Sequence, residues 1–178
     1  MTKEFGESTG FSNCSGVYRI ASKATEPYGQ DRQQLTGESQ VERKCRVVRI
    51  LVVDDNPAVR NYLRSLLEQQ STWQVCDEAR TGREAIQRVE KNPPDMILLD
   101  FQMPDLNGLD VARQITKIFP EIPILMVTIH LSKQLTDEAR RAGIRGACAK
   151  TDVGSIVEAV DALLHAGTYF PANNAIQN

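Results

Sequence analysis

The sequence has no apolar run approaching the ~18 residues that a membrane span requires, and its N-terminus lacks a charged-then-apolar leader. Glu4 and Glu7 also speak against a transit peptide, because such segments avoid acids. Cysteine is sparse: Cys14, Cys45, Cys76 and Cys148 are scattered, with no C-x-x-C pair and no partnering histidines. This argues against a zinc site or a disulfide framework and suits a reducing compartment, so a cytoplasmic location is expected. A large charge of one sign is also missing. The formal net charge is -2 over 178 residues, which gives no general pull toward nucleic acid or anionic lipid. No G-x-G-x-x-G follows the first apolar run, so the dinucleotide-binding fingerprint is absent too.

Apolar residues are short in one region only. Up to about Lys44 they are few and without period, while Ser, Thr, Gly, Gln and Glu dominate. Such a stretch cannot bury enough surface to offset its ordering entropy. Residues 1–45 are therefore expected to form a disordered tail, 46–170 a folded domain and 171–178 a short C-terminal tail.

From Arg46 the pattern changes. Val47 to Val53 reads as a buried strand, stopped by Asp54-Asp55-Asn56-Pro57, a helix-start signal. Val59, Tyr62, Leu63, Leu66 and Leu67 then recur at helical spacing, predicting a helix that ends near Gln70. The alternation repeats: a strand over Trp73–Ala79, then a helix opened by a capping box at Thr81 and Glu84 and broken by Asn92-Pro93-Pro94. Met96–Leu99 is the most apolar strand and ends at Asp100. Val111, Ile115 and Ile118 mark a third helix, Ile122–Val127 a fourth strand ending at Thr128, and Leu135, Ala139 and Ala142 a fourth helix stopped by Gly143. Ala147–Ala149 is a short fifth strand ending at Lys150, and a last helix with Ile156, Val157, Val160, Leu163 and Leu164 follows an Asp152 cap.

Five strand-helix units in strict alternation predict an α/β fold: a doubly wound, five-stranded parallel sheet with helices on both faces. In such sheets ligands sit beyond the carboxyl ends of the strands, where the strand order reverses. Asp54-Asp55, Asp100, Thr128 and Lys150 all fall at such ends, and the second strand ends in a polar stretch near Glu78. Two carboxylates ~4 Å apart repel by roughly 4 kcal/mol at an effective dielectric near 20, so three converging acids require a cation. Magnesium, a hard ion content with a few carboxylates, a carbonyl and waters, suits the set. Cation and ammonium together would neutralise a transferring phosphoryl group, for which a carboxylate can be the nucleophile and Thr128 a hydrogen-bonding hydroxyl. Alone, each residue has a plainer role: turn, helix cap, loop acid or solvated lysine. Only the joint arrangement carries the chemistry.

At these residues the chain resembles the receiver domains of bacterial two-component response regulators. The resemblance covers roughly Val47–Phe170 and rests on Val53-Asp54-Asp55, Leu98-Leu99-Asp100 with Met103-Pro104 and Gly108, Thr128, and Lys150. Val127-Thr128-Ile129-His130 and Ala149-Lys150-Thr151 look like the receivers of LuxR-type regulators. The resemblance implies a flavodoxin-like (βα)5 fold and a phosphorylation-dependent switch, not an enzyme beyond metal-assisted self-phosphorylation and slow autodephosphorylation. It makes Asp100 the phosphoacceptor. Asp55, Asp100 and the Gln102 backbone carbonyl become direct magnesium ligands, and Asp54 a ligand through water. Thr128 and Lys150 become the sensing residues, and a sensor histidine kinase or phosphotransfer protein the donor.

Three positions depart from the family pattern. Ala147 stands where an aromatic residue usually swings inward, Thr151 follows the lysine in place of proline, and bulky Ile129 follows Thr128. These motivate one alternative, a degenerate receiver that only binds partners. LuxR-type receivers usually precede a DNA-binding domain; because the chain ends at Asn178, a single-domain receiver without direct DNA binding is expected, with a truncated remnant of a larger regulator as the other alternative. A haloacid-dehalogenase-like phosphatase would want a second Asp where Gln102 stands. Monomer and homodimer both stay open.

Overall fold

The computed structural model describes residues 46–171. The expected tail at 1–45, and all but the first residue of the one at 171–178, lie outside the described residues. Strands and helices alternate as β1 (Val48–Val53), α1 (Pro57–Leu67), β2 (Trp73–Ala79), α2 (Gly82–Lys91) and β3 (Met96–Leu99). They continue as α3 (Gly108–Ile118), β4 (Ile124–Thr128), α4 (Lys133–Arg141), β5 (Gly146–Ala149) and α5 (Val153–Leu164). The five strands form one parallel sheet in the order β2-β1-β3-β4-β5.

Successive side chains on a strand point to opposite faces, and the core divides accordingly. Leu51, Val53, Ile97, Leu99, Ile124 and Met126 face one layer, where α2, α3 and α4 supply Ala85, Val89, Val111, Ala112, Ile115 and Ala139. Ile50, Val52, Met96, Leu98, Leu125 and Val127 face the other, covered by α1 and α5 through Leu63, Leu66, Leu67, Ile156, Val160 and Leu163. Burial on both faces explains why β3 and β4 read as unbroken apolar runs rather than alternating ones. After β1 the chain first moves outward to β2, then crosses back to β3 on the other side of β1. The order reverses between β1 and β3, and there the crevice opens.

Several boundaries differ from the sequence expectation. The first helix ends at Leu67, three residues before Gln70: the Glu68 N–H makes the last i→i−4 bond, to the Arg64 carbonyl, and the Gln70 N–H turns to the Leu67 carbonyl instead. The fourth strand starts at Ile124 rather than Ile122; Ile122 is buried but precedes the ladder. The helical period puts Ile118 on the core face, yet it is 54% exposed, since Phe119 takes over the packing where α3 ends. The box at the start of α2 is also displaced: Thr81 accepts the Glu84 N–H, but the Glu84 carboxylate accepts from Arg80, one residue earlier. Past α5, Tyr169 pairs beside β5 through Ala147 N–H to Tyr169 O, 2.8 Å, and Phe170 lies under the Arg140 guanidinium, 3.9 Å from its ring centre. Among the described residues no helix is long and apolar enough to cross a membrane.

Candidate functional site: an acidic crevice at the sheet edge

The register of the central strands decides where the acids go. Val53 pairs with Leu99, and the Asp100 N–H donates to the Val53 carbonyl at 2.9 Å. Asp54 and Asp100 therefore emerge side by side at the ends of β1 and β3. One carboxylate oxygen from each of Asp54, Asp55 and Asp100 lies within 4.8 Å of the others. Asp54 and Asp100 are buried, at 1% and 5% exposure, and Asp55 is exposed.

Lys150 completes the group. Thr128 pairs with Ala149, and the Lys150 N–H donates to the Thr128 carbonyl at 2.9 Å, so the β4–β5 ladder delivers its side chain to the same edge. Lys150 Nζ lies 2.6 Å from Asp54 Oδ2 and 2.9 Å from Asp100 Oδ2. Its approach to Asp54 Oδ2 is off the hydrogen-bonding direction, and that buried oxygen has no hydrogen-bond partner. The contact there is ionic alone.

One ammonium faces three carboxylates, and the titration of Asp100 and Lys150 reflects it. Burial pushes the Asp100 carboxyl up, opposed by Lys150 and reinforced by the Asp54 charge, and the upward effects win. Burial works against the charge on Lys150 as well, but Asp54 and Asp100 outweigh it and hold the ammonium above its ordinary value. The charged form of Asp100 is thus held at a cost, and the buried Asp54 Oδ2 atom has an ionic neighbour but no hydrogen bond. Hard oxygen donors in this condition fit a divalent cation of the magnesium type.

The loops are built to hold these positions. The Asp54 Oδ1 atom accepts the Asn56 N–H at 3.0 Å, and Asn56 in turn caps α1 by accepting from Ala58, with Pro57 at the first helical position. On the other side, Asp105 fastens the β3–α3 loop to α2 by accepting the Gly82 and Arg83 N–H groups at 2.9 and 3.0 Å. Burial works upward on its carboxyl, but those N–H donors outweigh it and hold it below the ordinary range. A shallow depression of about 410 Å³ runs along this loop, lined by Asp55, Phe101, Gln102, Met103, Pro104 and Asn107.

Gly108 has a physical reason to be glycine. A Cβ there would stand 2.3 Å from the Asp100 carbonyl oxygen and 3.0 Å from Phe101 Cα, both backbone atoms. Gly108→Ala is expected to cost about 1–3 kcal/mol in urea unfolding, because the Asp100–Phe101 peptide must shift to admit the methyl group.

The structure brings together Asp54, Asp55, Asp100 and Lys150 and places Thr128, buried, at the end of β4 on the same edge. The Thr128 hydroxyl accepts the His130 N–H at 3.4 Å, a long bond that ties it to the following loop. Gln102 lies on the loop beside the cluster. Glu78, the polar end expected of β2, belongs elsewhere: it takes Arg60 and Arg64 at 3.0 and 2.7 Å. Ala147 is fully buried among the core residues, Ile129 is 59% exposed, and no peptide bond among the described residues is cis, Lys150–Thr151 included. Reasoning from sequence missed Asp105 and Arg60, whose partners lie 22–23 residues and up to 18 residues away.

Known proteins resemble this chain in sequence and fold. The family model for the response regulator receiver domain matches residues 50–161. Over 100 residues the chain is 41% identical to the protein-glutamate methylesterase/protein-glutamine glutaminase of Pyrococcus abyssi, covering 56% of this chain and 26% of that protein. Over 104 residues it is 36% identical to the response regulator protein VraR of Staphylococcus aureus, covering 58% and 50%. Among solved structures, a LuxR-family two-component response regulator from Aurantimonas sp. SI85-9A1 superposes with a TM-score of 0.67 at 30% identity, covering 69% of this chain and 89% of that one. The chain spans between a quarter and about half of the length of the curated relatives it matches. A flavodoxin-like sheet with acids at its switch point, matched over most of its folded length by that model, places this chain in the response regulator receiver domain family of two-component systems.

Proposed function

We propose that this receiver is a phosphorylation switch in which the Asp100 carboxylate accepts a phosphoryl group. The observation that carries this is the meeting of Asp54, Asp55 and Asp100 within 4.8 Å, with Lys150 Nζ 2.9 Å from Asp100. An Asp100 oxygen forms the new bond to phosphorus as the bond from phosphorus to the donor breaks, and the donor leaves with that electron pair. The donor class is a phosphohistidine on a sensor histidine kinase or a phosphotransfer protein, as in the family the chain belongs to.

Asp55, Asp100 and the Gln102 carbonyl would hold a magnesium ion, with Asp54 reaching it through water. Bound there, magnesium supplies charge neutralisation for the carboxylates and the phosphoryl oxygens. Lys150 contributes the second positive charge, and its N–H bond to Thr128 O links its position to the end of β4. Thr128 would donate its hydroxyl to a phosphoryl oxygen. Its Oγ1 atom now accepts from His130, so a shift of Thr128 inward would stretch that 3.4 Å bond and free the start of the β4–α4 loop. With Ala147 sealed in the core, no aromatic side chain follows the motion, and the loop itself is the readout.

Reversing such a switch from 1:99 to 99:1 takes about 5.5 kcal/mol of differential interaction. A new charge of about -1.5 to -2, received by Lys150 and a cation, is of the right size. Intact-mass measurement on the chain with a small phosphodonor tests the reading: one added phosphoryl group is expected with magnesium and none when the metal is chelated. Magnesium binding without any added mass would favour a receiver that acts only by binding partners.

A further inference from the structure

The candidate metal ligands of β1 sit where the sheet ends. The Asp54 N–H makes the last rung there, to the Ala79 carbonyl at 3.0 Å, and beyond it the chain turns into α1. The two peptide planes that aim the Asp54 and Asp55 side chains lie past that rung, and one side chain meets both of their carbonyls. Arg60, on α1, donates from Nη1 to the Asp54 carbonyl at 2.8 Å and to the Asp55 carbonyl at 3.3 Å. Its Nε donates to Glu78 Oε2 at 3.0 Å. At 16% exposure the Arg60 side chain is largely screened from competing water.

We propose that Arg60 is a positioning residue for the divalent-cation site, clamping the Asp54–Asp55 corner so that both carboxylates point at the crevice. This deepens, and rests on, the reading of Asp54, Asp55 and Asp100 as a cation site. The planar guanidinium fork is shaped for such a clamp. Nη1 alone reaches both carbonyls while Nε, held in the same plane, is fixed by a carboxylate, a rigid two-nitrogen division that a single ammonium does not have. Glu78 balances the guanidinium charge, so the clamp aims the acids without repelling the cation. Groups that orient ligands in this way typically change metal affinity about 10- to 100-fold when removed. Arg64 provides the contrast. It grips the same Glu78 at 2.7 Å, but its other hydrogen bonds go to Glu68 and the Val75 carbonyl, away from the acidic corner.

Calorimetric titration of the full chain with Mn²⁺, alongside thermal unfolding without metal, separates positioning from general support. Arg60→Ala is expected to weaken Mn²⁺ binding by about tenfold or more. Arg64→Ala should lower the metal-free melting temperature about as much as Arg60→Ala yet leave Mn²⁺ affinity within about twofold, because it removes the salt bridges to Glu78 and Glu68 but no carbonyl contact at the acidic corner. Arg60→Lys keeps a charge beside Glu78 but loses the fork, and should weaken binding several-fold; it decides the matter should the alanine variant not fold. Wild-type Mn²⁺ affinity in either Arg60 variant, or equal weakening by Arg60→Ala and Arg64→Ala, would overturn the clamp. A wild-type chain that takes up no Mn²⁺ would overturn the cation site itself, and the clamp with it.

Discussion

Asp100→Asn is expected to abolish phosphodonor-dependent mass gain completely while leaving the metal-free domain at least as stable as wild type. The two halves of that expectation have one cause. Asparagine keeps the shape of the side chain but has no carboxylate to attack phosphorus. In the wild-type fold, burial and the Asp54 charge hold the Asp100 carboxyl above its ordinary value of 3.8, despite Lys150 at 2.9 Å. A carboxyl whose folded pKa is raised binds its proton more tightly when folded, so its contribution to stability is present at low pH. That contribution is lost as pH rises through the folded value. At neutral pH the ionised Asp100 therefore weakens the metal-free fold, and a neutral amide removes the burden while leaving Lys150 paired to Asp54 at 2.6 Å. Stabilisation by magnesium should shrink in the same variant, because one of its charges is gone. Intact mass and urea unfolding with and without magnesium check all three points. Mass gain retained in Asp100→Asn would move the phosphoryl group to another acid and remove Asp100 from its role.

Much of this arrangement is legible in the sequence, and the reason is local. Each strand but β2 is a short, mostly apolar run ended by a charged or hydroxylated residue, and each helix carries its own start or stop signal, such as Asn56-Pro57, Thr81 or Gly143 with its φ of +83°. The acids of the crevice directly follow buried strands, so placing the strands placed the acids. The strand order is a long-range property; alternation alone implied a reversal without saying that it lies between β1 and β3. The residues that hold the site were harder to see for the same reason. Arg60 looks like one more charge on an amphipathic helix until Glu78 and the two carbonyls are brought to it from β2 and the β1–α1 corner. Asp105 looks like a loop acid until α2 presents its N-terminal N–H groups. Ile118 shows the opposite error, a helical period carried one step past the point where α3 stops needing it.

Lys150→Met should strongly destabilise the metal-free fold, and part of the damage should be reversible by a cation. Methionine preserves most of the apolar stem, so packing is largely retained and the change isolates the charge. What is lost is the ammonium 2.6 Å from Asp54 and 2.9 Å from Asp100, two carboxylates at 1% and 5% exposure. Removing one partner of a buried ion pair typically costs about 3–5 kcal/mol, because the other charge stays buried without compensation. Lys150 itself retains 13% exposure, which places the expected loss near the lower end, about 3 kcal/mol at pH 7 by urea unfolding. The penalty should fall with pH. Without Lys150 the Asp100 carboxyl loses the neighbour that opposes its upward shift, so protonation relieves the crowding as pH drops toward a folded value above 3.8. Millimolar magnesium should restore a larger increment of stability to this variant than to wild type, since the cation replaces the missing positive charge. An equal loss at neutral and acid pH, with no extra gain from magnesium, would mean that the lysine acts through its stem and not its charge, and that the acids do not share a common field.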